Sequence, residues 1–243
     1  METRPLLGKS ALVTGGACRI GRAIALELAR AGADVAITYR TSQSEAAETS
    51  EEIATLGCRA LAIGCDVRSE AQVKKAVADA VAGFGRLDVL VNNAAIFAST
   101  PLEAITLDEW DEVFETNTRG PFLMAREALE HLRASHGRII NIGSLGGLKA
   151  WATHAHYSSS KAALHMLTRA MAKAFAPEVS VNCVAPGWIE LQDAGAGAKF
   201  AERTPMKRNG TAADVAEAVL FFAAGPAFVT GQVMAVDGGL GLS

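Results

Sequence analysis

Cysteine is sparse in this chain. Cys18, Cys58, Cys65 and Cys183 are the only four in 243 residues, with no Cys-x-x-Cys pair and no zinc-ligand spacing. That excludes a disulfide-stapled miniprotein and points to reduced thiols, with Cys183 buried in a strand. A basic excess is also lacking: 23 Lys and Arg face 26 Asp and Glu, for a net charge of −3. Nothing there neutralises a phosphate backbone, so no nucleic-acid partner is expected, although a small anionic ligand needs only two or three local cations. No apolar run approaches the ~20 residues of a membrane-spanning helix, so no membrane partner is expected either. Arg4 and Lys9 flank only Pro5-Leu6-Leu7-Gly8, too short for the apolar part of a secretion signal. The expected setting is cytoplasmic. No linker-like composition break, internal repeat or low-complexity tract interrupts the chain. What is present is 50% hydrophobic residue content with 20% charged, enough to bury a large core and too apolar for a disordered protein.

Short apolar runs alternate with longer amphipathic stretches. Strands are expected at Ala11–Val13, Val35–Tyr39, Ala60–Ile63, Val89–Val91, Arg138–Ile142, Val179–Val184 and Val233–Val236. Helices are expected at Ile20–Ala31, Ser44–Leu56, Ser69–Phe84, Asp108–Ser135, Ala155–Phe175 and Thr211–Ala223, several of them stopped by a glycine. Continuous apolar strands alternating with helices predict an α/β fold, a parallel sheet covered on both faces. Seven strands and at least six helices make one doubly wound domain over residues 1–243. The one irregular stretch, about 187–210, contains Ala194-Gly195-Ala196-Gly197-Ala198. It is long for a connection in a compact domain and is expected to be a substrate loop.

Thr14-Gly15-Gly16-Ala17-Cys18-Arg19-Ile20-Gly21 joins the first strand to the first helix. There a dinucleotide pyrophosphate would meet free backbone N–H groups and the positive end of a helix dipole. Packing alone also explains such a turn. The second strand ends Thr38-Tyr39-Arg40-Thr41-Ser42 without the acid that bonds ribose hydroxyls in NAD-preferring folds. Asp34 lies at the wrong end of that strand. Arg40 and Arg19 could converge on a 2′-phosphate, with Thr41 or Ser42 donating hydrogen bonds, which favours NADP(H). Asp66, beside Val67 after the third strand, either accepts from an adenine amino group or caps its own turn.

Tyr157 and Lys161 stand four apart in a helix and so share a face. An unperturbed phenol is a poor acid near neutrality, and a nearby ammonium lowers its pKa toward a useful value. An exposed helical pair is the plain alternative. Ser144 follows the fifth strand, where a hydroxyl can bond a substrate oxygen, and a turn serine would look the same. Asn117 interrupts a helix just before Gly120, which suggests a local kink or a polar task. His154, His156 and His165 have no acid or cysteine at ligand spacing, so no metal site is expected.

In their order along the chain these pieces resemble the short-chain dehydrogenase/reductase family. The matching residues are TGGACRIG, Asp66, Asn92-Asn93-Ala94-Ala95, Asn117, Ser144, Tyr157-Ser158-Ser159-Ser160-Lys161, Pro186-Gly187 and Asp237-Gly238-Gly239. The resemblance spans Lys9 to Gly239. It implies a single Rossmann domain with a seven-stranded parallel sheet, usually in a homotetramer. It also implies roles at the matching positions: Tyr157 as proton donor to a carbonyl, Lys161 holding the nicotinamide ribose and lowering the tyrosine pKa, Ser144 polarising the carbonyl, and Asn117 keeping a water in the proton relay. Gly15, Arg19, Ile20, Gly21, Asn93 and Ile189 would line the cofactor, NADP(H). Arg19 stands where the family's glycine motif usually has its middle glycine, as in the pteridine-reductase branch, and Phe97 matches that branch's pterin-stacking phenylalanine. Ser144 departs from it, since the best-known pteridine reductases carry an aspartate there. Phe97 could equally be an apolar lining residue, and Trp188 falls near the expected substrate mouth. The implied activity is reduction of a small-molecule carbonyl, of 3-oxoacyl or small-ketone type. The alternatives are a dihydropterin reductase and a non-catalytic NADP(H)-binding sensor.

Overall fold

In a computed structural model describing residues 4–190 and 197–242, side chains alternate between the two faces of each buried strand. Along β1 (Ser10–Val13), Ala11 and Val13 enter one core cluster and Leu12 the other. This is the period-two geometry of a pleated strand buried on both sides. The first cluster packs α1 (Arg19–Arg30) and α8 (Ala212–Ala224) against the sheet. The second packs α3 (Glu70–Phe84), α5 (Gly120–Ser135) and α6 (Ala155–Phe175) on the opposite face. Leu12, Leu90, Ile139 and Val181 carry that second layer through four strands.

The remaining strands are β2 (Asp34–Tyr39), β3 (Ala60–Gly64), β4 (Val89–Asn92), β5 (Arg138–Ile142), β6 (Ser180–Pro186) and β7 (Val233–Val236). All pairings are parallel, in the order β3-β2-β1-β4-β5-β6-β7. This is the single doubly wound Rossmann domain expected from the pattern of apolar runs. The chain reverses its direction of travel across the sheet between β1 and β4. The carboxyl ends of those strands therefore open a crevice, because the following connections leave to opposite sides.

Local chemistry sets the helix ends. Ser69 accepts from the Gln72 amide to open α3, and Gly85, at φ 79°, closes it in the left-handed region. Thr211 and Asp214 form a reciprocal capping box at the start of α8. α2 (Gln43–Thr55) ends before Gly57, at φ 77°.

Two expectations need correction. The single helix expected over Asp108–Ser135 is α4 (Leu107–Phe114), a π-turn at Glu115–Arg119, and then α5. The irregular stretch 187–210 is in part regular. Ile189 bridges to Gly210 as a parallel pair, and α7 covers Gly197–Arg203. Ala194-Gly195-Ala196 lies outside the described residues.

Candidate active site

The glycine turn after β1 is held by Asn93. Its side-chain amide donates to the Thr14 carbonyl at 2.9 Å and the Gly15 carbonyl at 3.0 Å. In return, the Thr14 hydroxyl accepts from the Asn93 and Ala94 amides, both at 3.0 Å. Gly15 sits at φ 62°, and a Cβ on Gly21 would run into the Gly15 carbonyl. Those two glycines are thus needed for the turn to close on itself. Arg19 adopts φ 52°, a left-handed conformation that costs an L-residue about 1 kcal/mol. That conformation explains why glycine is usual at this place in the motif. It also makes an arginine there notable, because strain kept in a turn points to a function for the side chain.

This turn borders a crevice of about 320 Å³. Gly15, Arg19, Ile20 and Gly21 form one wall, Arg40 the end of β2, and Asp66 and Val67 the segment after β3. Asn93 to Ile96 form the floor after β4. Arg19 makes no ion pair among the described residues, and Arg40 only a loose one, 3.7 Å from Glu112. Exposed backbone, a helix N-terminus and two weakly engaged arginines fit a phosphate-bearing dinucleotide.

Asp66 caps its own turn. Its carboxylate accepts from the Arg68 amide at 3.0 Å and pairs with the Arg68 guanidinium at 2.6 Å. Those bonds hold its pKa below the ordinary carboxylate range. It still borders the crevice. Thr41 is exposed beside Arg40 but does not line the crevice, and Ile189 packs against the core at the Gly210 bridge instead. Asp34 is paired with Arg59 at 2.7 Å, at the far end of β2.

The catalytic candidates lie beyond β5 and are buried. Ser144 opens a tight turn, its hydroxyl accepting from the Gly146 amide at 3.0 Å. Tyr157 lies in the first turn of α6 with 9% of its surface exposed. Burial pushes its phenol pKa up, and a hydrogen bond with Ser144 pulls it partly back. The expectation that Lys161 lowers this pKa is therefore not met. The Lys161 ammonium donates to the Ile142 carbonyl at 2.8 Å and lies 5.9 Å from the centre of the Tyr157 ring. Its own pKa is pushed down to about 8 by burial.

Asn117 sits on the π-turn, as its mid-helix position suggested. Its Oδ1 accepts from the Ile96 amide at 2.8 Å, and its Nδ2 donates to the Ile96 carbonyl at 2.9 Å and to Ser160 Oγ at 3.1 Å. It clamps the segment after β4 to α6. Both donors are spent on protein, so a water held by this side chain would use the second lone pair of Oδ1.

A second cavity of about 420 Å³ adjoins the catalytic corner, with Phe97, Trp151, His154, Trp188 and Phe200 among its walls. Phe97 meets Tyr157 edge-on at 4.9 Å between ring centres, and it is 59% exposed. Trp188 stacks on Phe200 at 4.0 Å.

For His165 the sequence reading went no further than that no metal site is expected. No group of three metal-ligating side chains exists among the described residues. The ring instead accepts from the Ser144 amide at 3.4 Å, and a Cβ at Gly143 or Gly147 would collide with it. Its pKa is pushed down to about 4 by burial and by the nearby Lys161 and Arg169 charges, so it is a neutral acceptor. The four-residue step from Lys161 was the available signal that it faces the same corner. Phe200 and its stack on Trp188 had no signal of that kind.

A turn that can seat a diphosphate, joined to a buried Ser–Tyr–Lys set beside an aromatic-lined pocket, defines a nucleotide-dependent oxidoreductase. Residues 15–241 match the family model described as Enoyl-(Acyl carrier protein) reductase. Versicolorin reductase 1 of Dothistroma septosporum is 38% identical, over 96% of this chain and 95% of that protein. 3-Oxoacyl-(acyl-carrier-protein) reductase FabG of Staphylococcus epidermidis is also 38% identical, over 96% and 99% of the two chains. A short-chain dehydrogenase of Burkholderia cenocepacia, solved in complex with NADP, superimposes with a TM-score of 0.92 at 38% identity, over 97% and 99%. The chain belongs to the short-chain dehydrogenase/reductase family and is an oxidoreductase, which sets aside the non-catalytic sensor. No helix among the described residues is long and apolar enough to cross a membrane.

Proposed function

We propose that the protein reduces the carbonyl of a small-molecule substrate at the expense of NADPH, with Tyr157 as proton donor. The observation that carries this reading is a buried Tyr157 bonded to Ser144, set against Phe97 where the crevice floor (Asn93 to Ile96) meets the second cavity. When bound, the cofactor supplies the hydride that adds to the carbonyl carbon. Ser144 and Tyr157 hydrogen-bond the carbonyl oxygen, and as the C=O π bond breaks the phenol O–H gives its proton to that oxygen. The phenolate left behind recovers a proton through Lys161 and solvent. The raised phenol pKa keeps the donor protonated at neutral pH, at a cost in acid strength. Arg19 and Arg40 select the 2′-phosphate, and the solved neighbour's NADP complex supports that choice of cofactor.

Asn117 keeps the relay water in this reading, and Gly15, Ile20, Gly21, Val67 and Asn93 shape the cofactor bed. The whole chain, 1–243, acts as one catalytic unit. The homotetramer rests on the family pattern, and the cytoplasmic setting on the sparse, unpaired cysteines and the short apolar stretch between Arg4 and Lys9. A dihydropterin remains a second reading because Phe97 presents an exposed ring beside Tyr157. The test is NADPH oxidation, followed by absorbance, against ketones, 3-oxoacyl thioesters and dihydropterins, repeated with NADH. Turnover of ketones or thioesters supports the proposal, turnover of pterins alone replaces it, and equal use of NADH removes the role of the arginines.

A further inference from the structure

Aromatic residues are scarce in this protein, at 6% of the chain. Their distribution is uneven. Phe97, Trp151, Trp188 and Phe200 all line the second cavity, together with the imidazole of His154, among twelve lining residues. Two of the three tryptophans are spent there. A pocket for a flexible acyl chain needs no such concentration, because branched aliphatic side chains fill around a chain equally well.

The rings are arranged as flat walls. Trp151 lies nearly parallel to Tyr157, at 14° with 6.5 Å between ring centres. Phe97 stands at 86° to Tyr157 and packs against His154 at 4.9 Å. Trp188 and Phe200 are stacked within 6° of parallel, and both rings line the cavity. Phe97 is largely exposed, so its ring is open to a ligand in the cavity. Aromatic pairs gain from offset-stacked or edge-to-face contact beyond the area they bury. A ring system entering this cavity would meet both kinds of face at once, and its volume of about 420 Å³ falls within the usual range for small-molecule sites.

We infer that the substrate class is a flat, fused-ring ketone, held by Trp151, Phe97 and the Trp188–Phe200 stack with its carbonyl toward Tyr157 and Ser144. This rests on the carbonyl-reductase reading of the same site. Its closing experiment therefore has a binding arm that does not depend on turnover.

The matched probes are the ketones β-tetralone and β-decalone, which share a carbon skeleton and differ by one aromatic ring, and, for binding alone, two hydroxyl compounds on that skeleton, planar β-naphthol and saturated β-decalol. Calorimetry on the NADP-loaded protein should show β-naphthol binding at least tenfold more tightly than β-decalol. In turnover, kcat/KM for β-tetralone should exceed that for β-decalone by a similar factor. Trp151→Leu and Phe200→Leu should each move both ratios toward one. Equal binding of the two alcohols overturns the inference, whether or not either ketone is reduced. Preference for β-naphthol without ketone turnover would keep the ring site and remove the carbonyl-reductase reading. A ratio that survives both leucine variants would overturn the assignment of the walls.

Discussion

The cofactor crevice and the catalytic corner lie side by side at the carboxyl ends of one sheet, yet they are built in opposite ways. In the crevice the two arginines, Arg19 and Arg40, reach into solvent with little to hold them. In the corner the polar groups are buried and bound: Lys161 to Ile142, Ser144 to His165, Asn117 to Ile96 and Ser160. The Asn92–Asn141–Thr168 chain, with links of 2.8 and 2.9 Å, continues this pattern beneath the corner. An exposed arginine costs little until an anion arrives, and then its charge is fully available. A proton donor must instead be positioned before the substrate comes, because reorganising it during the reaction would add to the barrier. One region recruits and the other holds still.

The contrast can be broken most sharply at Tyr157. Tyr157→Phe should lower kcat by about 10²- to 10⁴-fold, the usual worth of a positioned acid. NADPH affinity should change by less than about threefold, as read by calorimetry. Equal losses in both would mean that the two regions are not separable. Gly21→Ala attacks the other side. The added methyl must displace the Gly15 carbonyl or Asn93, so the Kd for NADPH should rise about tenfold or more. Isolated single-turnover chemistry at saturating cofactor should change much less.

Arg40→Asp should lower the kcat/KM preference for NADPH over NADH by about tenfold, or about 1.4 kcal/mol. An unchanged ratio would sink the selective role of that arginine. His165→Leu should have the smallest effect, a loss of roughly threefold to tenfold in kcat with KM little changed, because Ser144 loses its anchor and not its hydroxyl. His165→Gln, which keeps an acceptor, should restore most of it. The same ring gives a pH signature. Its pKa of about 4 in the folded protein lies below the ordinary 6.5, so the unfolded chain binds its proton first as pH falls. Stability should therefore drop as pH falls from about 6.5 to about 4, and should be insensitive to this group above that window. Melting temperatures of wild type and His165→Gln across that range check it, with a shallower fall in the variant.

Much of this architecture was legible in the residues. β5, α6 and β7 begin and end at the residues the sequence pattern marked. The corner was legible through the joint spacing of Ser144, Tyr157 and Lys161. Its electrostatics were not. Whether Lys161 faces the phenol or the Ile142 carbonyl depends on three-dimensional direction, and spacing along a helix says nothing of that. Phe200 was hidden for a similar reason, since a stack on Trp188 joins two segments with no common period. Ile189 and Thr41 show the reverse error. Thr41 follows the crevice-lining Arg40 but turns to solvent, and Ile189 follows Trp188, a wall of the second cavity, but packs against the core.

The π-turn at Glu115–Arg119 has a consequence for how this part of the molecule tolerates change in length. A π-turn carries one residue more than the α-helical path requires, and each helical residue advances the side-chain direction by about 100°. α4 and α5 therefore run as one rod but are out of phase by that angle, so the apolar stripe of one does not continue into the other. Removing a single residue from 115–119 would bring the two stripes into one phase. It would rotate either the α5 face that meets α3 or the α4 face beside α6 out of its contact. The extra residue works like an offset between two gears on a common shaft: each half meshes with its own neighbour only while the offset is kept.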